Sequence, residues 1–314
     1  MRAIAVTAYG GEPAVTELPK PEAAPDKIIV RVEAAGMNPV DSSIASGAYK
    51  DLMPATFPLV LGVDVAGVVE AVGEGTAGFE VGDRVFVQLL IPPLGSTGTY
   101  AEFVSVPKDA PVAKVPHSMD SVTAASLPTA GGTALQIAES LLLEGKTMLI
   151  VGAAGGVGSF LTQFAVRGGA RVIANVAARD SARVREYGAV ETVDHHTDNV
   201  RDAVAALSPD GIDVLVDLAN GADEFANLAS LVGGGGTALT TRYVADVDSL
   251  AARGVTGVNL AYQASRPLLA RLAEAVATDG VVPPPLETVG LDEVPQVLRG
   301  SGRGARPAKT VIVL

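Results

Sequence analysis

At 314 residues the chain has room for two domains or one large one, and a 48% hydrophobic content supplies ample core. A formal charge of −12 with no cysteine argues against a nucleic-acid partner and excludes disulfides, a thiolate nucleophile and cysteine-ligated zinc. The longest apolar stretch, around Met148 to Val166, is broken by glycines, Ser159, Thr162 and Gln163, and Met1-Arg-Ala-Ile-Ala-Val-Thr7 runs straight into strand-like alternation; no membrane span and no export signal are read, so the expectation is a soluble cytoplasmic protein.

Residues 1 to about 118 read as β-rich. Lys27-Ile-Ile-Val-Arg-Val-Glu-Ala34 alternates with period two, and Gly62 to Val72 is a second long strand region with small residues interleaved. Asp83-Arg-Val-Phe-Val87 and Tyr100-Ala-Glu-Phe-Val-Ser-Val106 follow, with Pro and Gly between them. Short strands punctuated this often predict a small antiparallel barrel or sandwich. The rhythm changes near Ser118. Residues 123–127 and 133–143 read as helices, and strand and helix then alternate. The strands are 147–151, 171–176, 192–193, 213–217 and 237–241; the helices start at Ser159 and span 181–187, 200–207 and 224–232. That alternation predicts a doubly wound parallel sheet. Gly233 to Gly236 reads as a helix stop and turn into the last strand. From Arg266 come a helix, Gly280, Pro283-Pro-Pro285, a short helix near 293–298 and a strand over 310–314. These no longer follow the parallel rhythm and are expected to return to the first domain.

Thr147 to Ser159 carries the most chemistry. An apolar strand is followed by Gly152, Gly155, Gly156 and Gly158, and then by apolar positions at helical spacing, the context a dinucleotide-binding turn requires. Backbone N–H groups over Gly152, Ala154, Gly155, Gly156, Val157 and Gly158 are the expected grip on a pyrophosphate, helped by the positive end of the helix. Ala154 sits where a strict G-x-G-x-x-G would have its middle glycine. Either the turn is one residue longer, or Gly155 and Gly158 carry the close approach.

Gly36-Met-Asn-Pro-Val-Asp41 has the pattern G-x-N-P-x-D, and Pro58-Leu-Val-Leu-Gly-Val-Asp-Val-Ala-Gly-Val-Val69 the pattern P-x-x-x-G-x-D-x-A-G-x-V. Gly82-Asp-Arg-Val85, Gly98-Thr-Tyr-Ala-Glu102, Ala125 to Ala134, Ala153-Ala-Gly-Gly-Val-Gly158 and Tyr187-Gly-Ala189 follow. Taken in order, these motifs resemble those of the medium-chain dehydrogenase/reductase superfamily and, within it, the zinc-free quinone oxidoreductase (zeta-crystallin-like) group. The resemblance implies α/β architecture: a GroES-like β-rich catalytic domain (1–118 and 266–314) split around a Rossmann domain (119–265), and a homodimer. It implies an NADPH-dependent reductase of a small quinone or α,β-unsaturated carbonyl, with no membrane partner. Two alternatives stand beside this reading: an enoyl reductase acting on a carrier-bound or polyketide chain, and a non-catalytic NADPH-binding protein.

The resemblance also implies site residues. Asn38 and Asp41 lie in the loop facing the nicotinamide: Asn38 hydrogen-bonds an acceptor carbonyl or shapes the turn before Pro39, and Asp41 braces that loop. Tyr49 matches a pocket tyrosine that donates a proton or orients a quinone by stacking. Ser46 replaces an arginine frequent at that position in the family. Thr129 and Thr133 resemble contacts to the nicotinamide ribose or ring. Thr240, with Thr241 and Arg242, ends a strand that presents residues to ligand. Lys309 resembles a lysine near the cofactor phosphates, with a solvated edge charge as the other reading.

The coenzyme type is read from the strand over 171–176. It ends in Asn175-Val-Ala-Ala178 with no acid to grip a ribose 2′-hydroxyl, and Arg179 and Arg183 follow. Guanidinium groups suit a 2′-phosphate, which favours NADPH; solvated helix charges are the alternative, and Asp180 is read as the N-cap of the next helix. His195-His196 with Asp194 and Asp198 are read as solvated loop residues, since neighbours on a strand end point opposite ways. No metal site is expected.

Overall fold

The computed structural model describes residues 1–300 and 308–314. The chain forms two compact units, Met1–Gly132 with Ala264–Leu314, and Thr133–Gln263. In chain order the first unit holds β1 (Arg2–Val6), β2 (Ala14–Glu17), β3 (Lys27–Gly36), α1 (Pro39–Ser46), β4 (Leu59–Val60), β5 (Asp64–Val72), β6 (Arg84–Gln88), β7 (Phe103–Pro107), β8 (Val112–Lys114) and α2 (Ser121–Ser126). Helix α3 (Pro128–Glu139) carries the chain onward. The second unit holds β9 (Thr147–Val151), α4 (Gly156–Arg167), β10 (Arg171–Val176), α5 (Ser181–Glu186), β11 (Glu191–Asp194), α6 (Val200–Leu207), β12 (Ile212–Asp217), α7 (Ala222–Ala229), β13 (Val232–Thr240), α8 (Val247–Ala252) and β14 (Thr256–Asn259). The chain then returns to the first unit with α9 (Arg266–Ala277), β15 (Leu286–Gly290), α10 (Val294–Gly300) and β16 (Lys309–Val313).

The first unit is mainly antiparallel. Its larger sheet runs β15-β16-β3-β5-β6-β8, with β7 also on β3, and a smaller one runs β2-β1-β4. The period-two alternation of β3 and β5 puts Ile28, Val30, Val32, Val65 and Val69 into a core shared with Ile4, Val85, Val104 and Tyr100. β16 pairs antiparallel with β3, Val311 opposite Gly36. The division between the units falls beyond the change of rhythm near Ser118, because α2 packs on β3, β5 and β16 of the first unit.

The second unit is a wholly parallel six-stranded sheet in the order β11-β10-β9-β12-β13-β14. This is the doubly wound order, with the ligand end at the strands' carboxyl ends, beside the first strand where the winding reverses. Leu149, Val151, Ile173, Leu215, Phe225 and Leu228 form its core. Apolar runs such as Met148–Val151, buried on both faces, are what a covered parallel sheet demands.

Four expectations are corrected. α3 begins at Pro128 rather than Thr133: Pro128 stands where a helix tolerates proline, and the Leu272 side chain packs where a side chain at Gly131 would lie. α4 begins at Gly156, not Ser159. Gly233 to Gly236 lie inside β13, whose pairing shifts register between Ile212 and Val214 to pass them. Asp180 precedes α5 but makes no side-chain cap bond. Among the described residues, no helix is long and apolar enough to cross a membrane.

Candidate dinucleotide turn and buried polar site

β9 delivers the chain to Gly152, whose φ of +77° is a left-handed conformation that favours glycine. Gly155 is the N-cap of α4 in extended geometry, so the N–H groups of Gly156, Val157 and Gly158 occupy the first helical positions, where no helical carbonyl can reach them. Gly158 is required by close approach: a Cβ there would lie 2.2 Å from the Gly152 carbonyl oxygen and 2.6 Å from Ala153 Cα. The open question of which glycines matter resolves onto Gly152 by conformation and Gly158 by contact. The result is a concave backbone turn closed by the N-terminus of a 12-residue helix, which fits an anionic pyrophosphate.

β10 runs parallel to β9 beside this turn, the Asn175 carbonyl accepting the Ala153 N–H at 3.3 Å. Asn175 is buried and donates its amide to the Val193 carbonyl at 3.2 Å, so it braces the sheet. Arg179 keeps its side chain 62% exposed, 3.6 Å from an Asp180 oxygen. Arg183 is not a solvated charge: it donates to Asp180 Oδ1 at 2.6 Å and to the Ala154 carbonyl at 3.4 Å, with its side chain 19% exposed. Thr240 is fully buried, and its hydroxyl accepts the Arg242 N–H at 3.0 Å. Thr133 is buried in α3.

The His195 and His196 rings sit 4.3 Å apart rather than pointing opposite ways, because they lie in the turn after β11, where strand alternation no longer applies. Asp194 and Asp198 accept backbone N–H groups of that turn. Among the described residues, no group of three or more metal-ligating side chains converges.

A second polar site lies inside the first unit. Asn38 precedes α1, and its backbone N–H donates to Asp41 Oδ2 at 2.6 Å, one half of a capping box. Its side-chain amide donates to Asp64 Oδ2 at 2.9 Å and to the Gly36 carbonyl at 3.3 Å, while its oxygen accepts from Lys309 Nζ at 2.8 Å. Both amide hydrogens are therefore engaged, and Asn38 has none left for an acceptor carbonyl. Thr129 donates to Asp64 twice, from Oγ1 at 2.7 Å and from its backbone N–H at 3.0 Å. Lys309, read as a phosphate contact or an edge charge, sends its ammonium to Asn38 and to the Met37 carbonyl at 2.9 Å. Tyr49 lies in the turn after α1, partly buried against the core.

Tyr100 donates its phenol to Asp41 Oδ2 at 2.6 Å. Its ring packs where a side chain at Gly62 would lie, 2.3 Å from that position. Asp64 and Tyr100 stand in the two signature segments quoted for the resemblance, yet nothing local in the sequence announces that they join Asn38 and Asp41. Asp41 matches the bracing role expected of it.

Burial dominates the electrostatics here. It pushes the Asp41 carboxyl up to about 7, against the donors Tyr100 and Asn38, and Asp41 Oδ1 has no partner among the described residues. Burial also raises Asp64, opposed by the Lys309 charge and by its three donors, and lowers Lys309, opposed by the two carboxylates. Tyr100 is held well above the usual phenol range by burial and by Asp41, so it stays a donor. The sign for stability follows. Asp41 binds its proton more tightly folded than unfolded, so its stabilising contribution is full below about pH 4 and is lost as pH rises through about 7. Asp41→Asn is expected to flatten that decline, measured as denaturation free energy from pH 4 to 8; an unchanged slope would assign it elsewhere.

A parallel sheet with a glycine turn, and a GroES-like unit with a buried polar site, define a two-unit dehydrogenase architecture. Family models match accordingly: the alcohol dehydrogenase GroES-like domain over residues 24–117 and zinc-binding dehydrogenase over 187–312. The chain is 35% identical over 233 residues to the chloroplast envelope quinone oxidoreductase homolog of Arabidopsis thaliana, covering 70% of this chain and 69% of that one. It is 33% identical over 245 residues to human quinone oxidoreductase, covering 75% and 71%. The solved quinone oxidoreductase of Coxiella burnetii superposes with a TM-score of 0.85 at 26% identity, over 100% of this chain and 99% of that one. The chain belongs to the medium-chain dehydrogenase/reductase superfamily as a quinone oxidoreductase-like oxidoreductase, a family that works with a nicotinamide cofactor.

The turn at Gly152–Gly158 fits that cofactor. Zinc, implied by the second family model, does not fit. The chain has no cysteine, and the buried groups of the polar site are two carboxylates countered by the Lys309 ammonium and joined through an amide and a hydroxyl. Tetrahedral zinc sites want three or four converging nitrogen, sulfur or oxygen ligands.

Proposed function

We propose that this chain is an NADPH-dependent, zinc-independent reductase of quinones or α,β-unsaturated carbonyls. The carrying observation is the turn at Gly152–Gly158 followed by a β10 end that has Asn175 in place of an acid and Arg179 exposed beyond it. The names of the relatives support the quinone. When bound, the reduced nicotinamide supplies a hydride. The chain's own residues hold the pyrophosphate on the Gly156, Val157 and Gly158 N–H groups. Arg179 offers the planar, paired donors that match a 2′-phosphate. In the first unit, Lys309, Asn38, Asp64 and Thr129 form a preorganised polar scaffold, and Asp41 holds a proton up to about pH 7.

Mixing the protein with NADPH and a panel of ortho-quinones, para-quinones and enones, with absorbance followed at 340 nm, tests the activity; no oxidation with any acceptor overturns it. Arg179→Met is expected to weaken NADPH roughly tenfold or more, as befits a charge-assisted contact, with NADH little changed. Equal losses for the two coenzymes would remove Arg179 from the 2′-phosphate. A cytoplasmic homodimer completes the proposal: β14 is an edge strand of the parallel sheet, and light scattering tests the assembly.

A further inference from the structure

Arg183 is the one basic residue near the turn whose guanidinium is engaged on several sides within a single unit. Its side chain is 19% exposed, and it pairs with Asp180, itself 12% exposed, at 2.6 Å. Nη1 and Nη2 both lie 3.4 Å from the Ala154 carbonyl, and Nη1 lies 3.3 Å from Ser159 Oγ. Ser159 Oγ donates to the same carbonyl at 3.2 Å. On the other side of that peptide, the Gly155 N–H donates to the Gly152 carbonyl at 3.0 Å. The Ala154–Gly155 peptide is thus clamped on both faces just before the helical N–H groups that meet a pyrophosphate. Arg179, by contrast, remains largely exposed.

We infer that Arg183 is a positioning residue for the pyrophosphate turn, locked by Asp180 onto the Ala154 carbonyl, and that 2′-phosphate recognition falls to Arg179 instead. This rests on the dinucleotide reading above. Two arginines four residues apart that look equivalent in sequence then divide the coenzyme: one shapes the turn common to NADH and NADPH, and the other senses the phosphate that distinguishes them. The pairing has a physical reason. An arginine already charge-paired with Asp180 and mostly buried has few donors left for a second anion.

The test is the charge-neutral double substitution D180N/R183M beside R179M, with three probes followed by calorimetry: NADPH, NADH and adenosine 2′-monophosphate, which carries the 2′-phosphate but no pyrophosphate. The double variant is expected to weaken NADPH and NADH by the same factor, roughly five- to tenfold for the loss of charge-assisted bonds to one carbonyl, and to retain adenosine 2′-monophosphate. Arg179→Met is expected to do the reverse, losing NADPH and the monophosphate while keeping NADH. Retained monophosphate binding shows that the double variant is folded. Selective loss of NADPH in the double variant would make Arg183 a direct phosphate ligand and overturn the inference. Unchanged coenzyme affinities, or loss of all three probes together, overturn it equally. If the unsubstituted protein binds neither coenzyme, the dinucleotide reading itself fails, an outcome distinct from all of these.

Discussion

Gly158→Ala is expected to weaken coenzyme binding severely. The added methyl would sit 2.2 Å from the Gly152 carbonyl oxygen, 2.6 Å from Ala153 Cα and 2.8 Å from the Ala153 carbonyl carbon. All three are backbone atoms of the turn itself, so no side chain can swing away to make room. The chain must either push α4 back from β9 or open the turn, and both displace the N–H groups that face the pyrophosphate. Overpacking of this kind costs about 1–3 kcal/mol of stability, and coenzyme affinity is expected to fall by roughly two orders of magnitude, as when several backbone donors to an anion are misplaced. Fluorescence titration with reduced coenzyme and a thermal melt are the measurements. A Gly158→Ala protein that binds with unaltered affinity would show that the turn does not hold the dinucleotide.

Lys309→Met is expected to be the most destabilising single change in the first unit. It removes the cation from a buried cluster that retains Asp41 and Asp64, and it strips a donor from Asn38 and from the Met37 carbonyl. Removing one partner of a buried charge cluster costs about 3–5 kcal/mol. The cost depends on pH with a definite sign. The Lys309 charge lowers both carboxyls, so its loss leaves them raised further. Groups raised on folding stabilise the protonated folded state, and that contribution vanishes as pH rises through the folded value. The deficit is therefore expected to be smaller at acid pH, where the raised carboxyls take up protons, and larger above neutrality. Denaturant titrations of the two proteins at pH 4.5 and pH 8 decide it. A deficit of equal size at both values would mean that Lys309 acts through packing and not through charge.

What the sequence disclosed, and what it withheld, follows the range of the interactions. β9, β10 and α6 lie where their local patterns put them, and the parallel sheet agrees with the strand–helix alternation. The start of α3 has no local signal in the sequence, and the approach of Leu272, far along the chain, accounts for the bare backbone at Gly131. Arg183 was ambiguous for the same reason: its partner Ala154 belongs to another element. Residues 41, 64, 100, 129 and 309 carry no joint signature along the chain, and the hydrogen bonds from Lys309 that complete the cluster belong to β16, which pairs with β3 across most of the chain's length.

That last dependence has a consequence for synthesis. During translation, the first hundred and thirty or so residues leave the ribosome long before Lys309 does, so two carboxyls destined for the interior must wait without their counter-ion while the entire nucleotide-binding unit is made. Domains generally fold as units in the order they emerge. Here the earlier-made unit is completed last, when β16 takes its place beside β3.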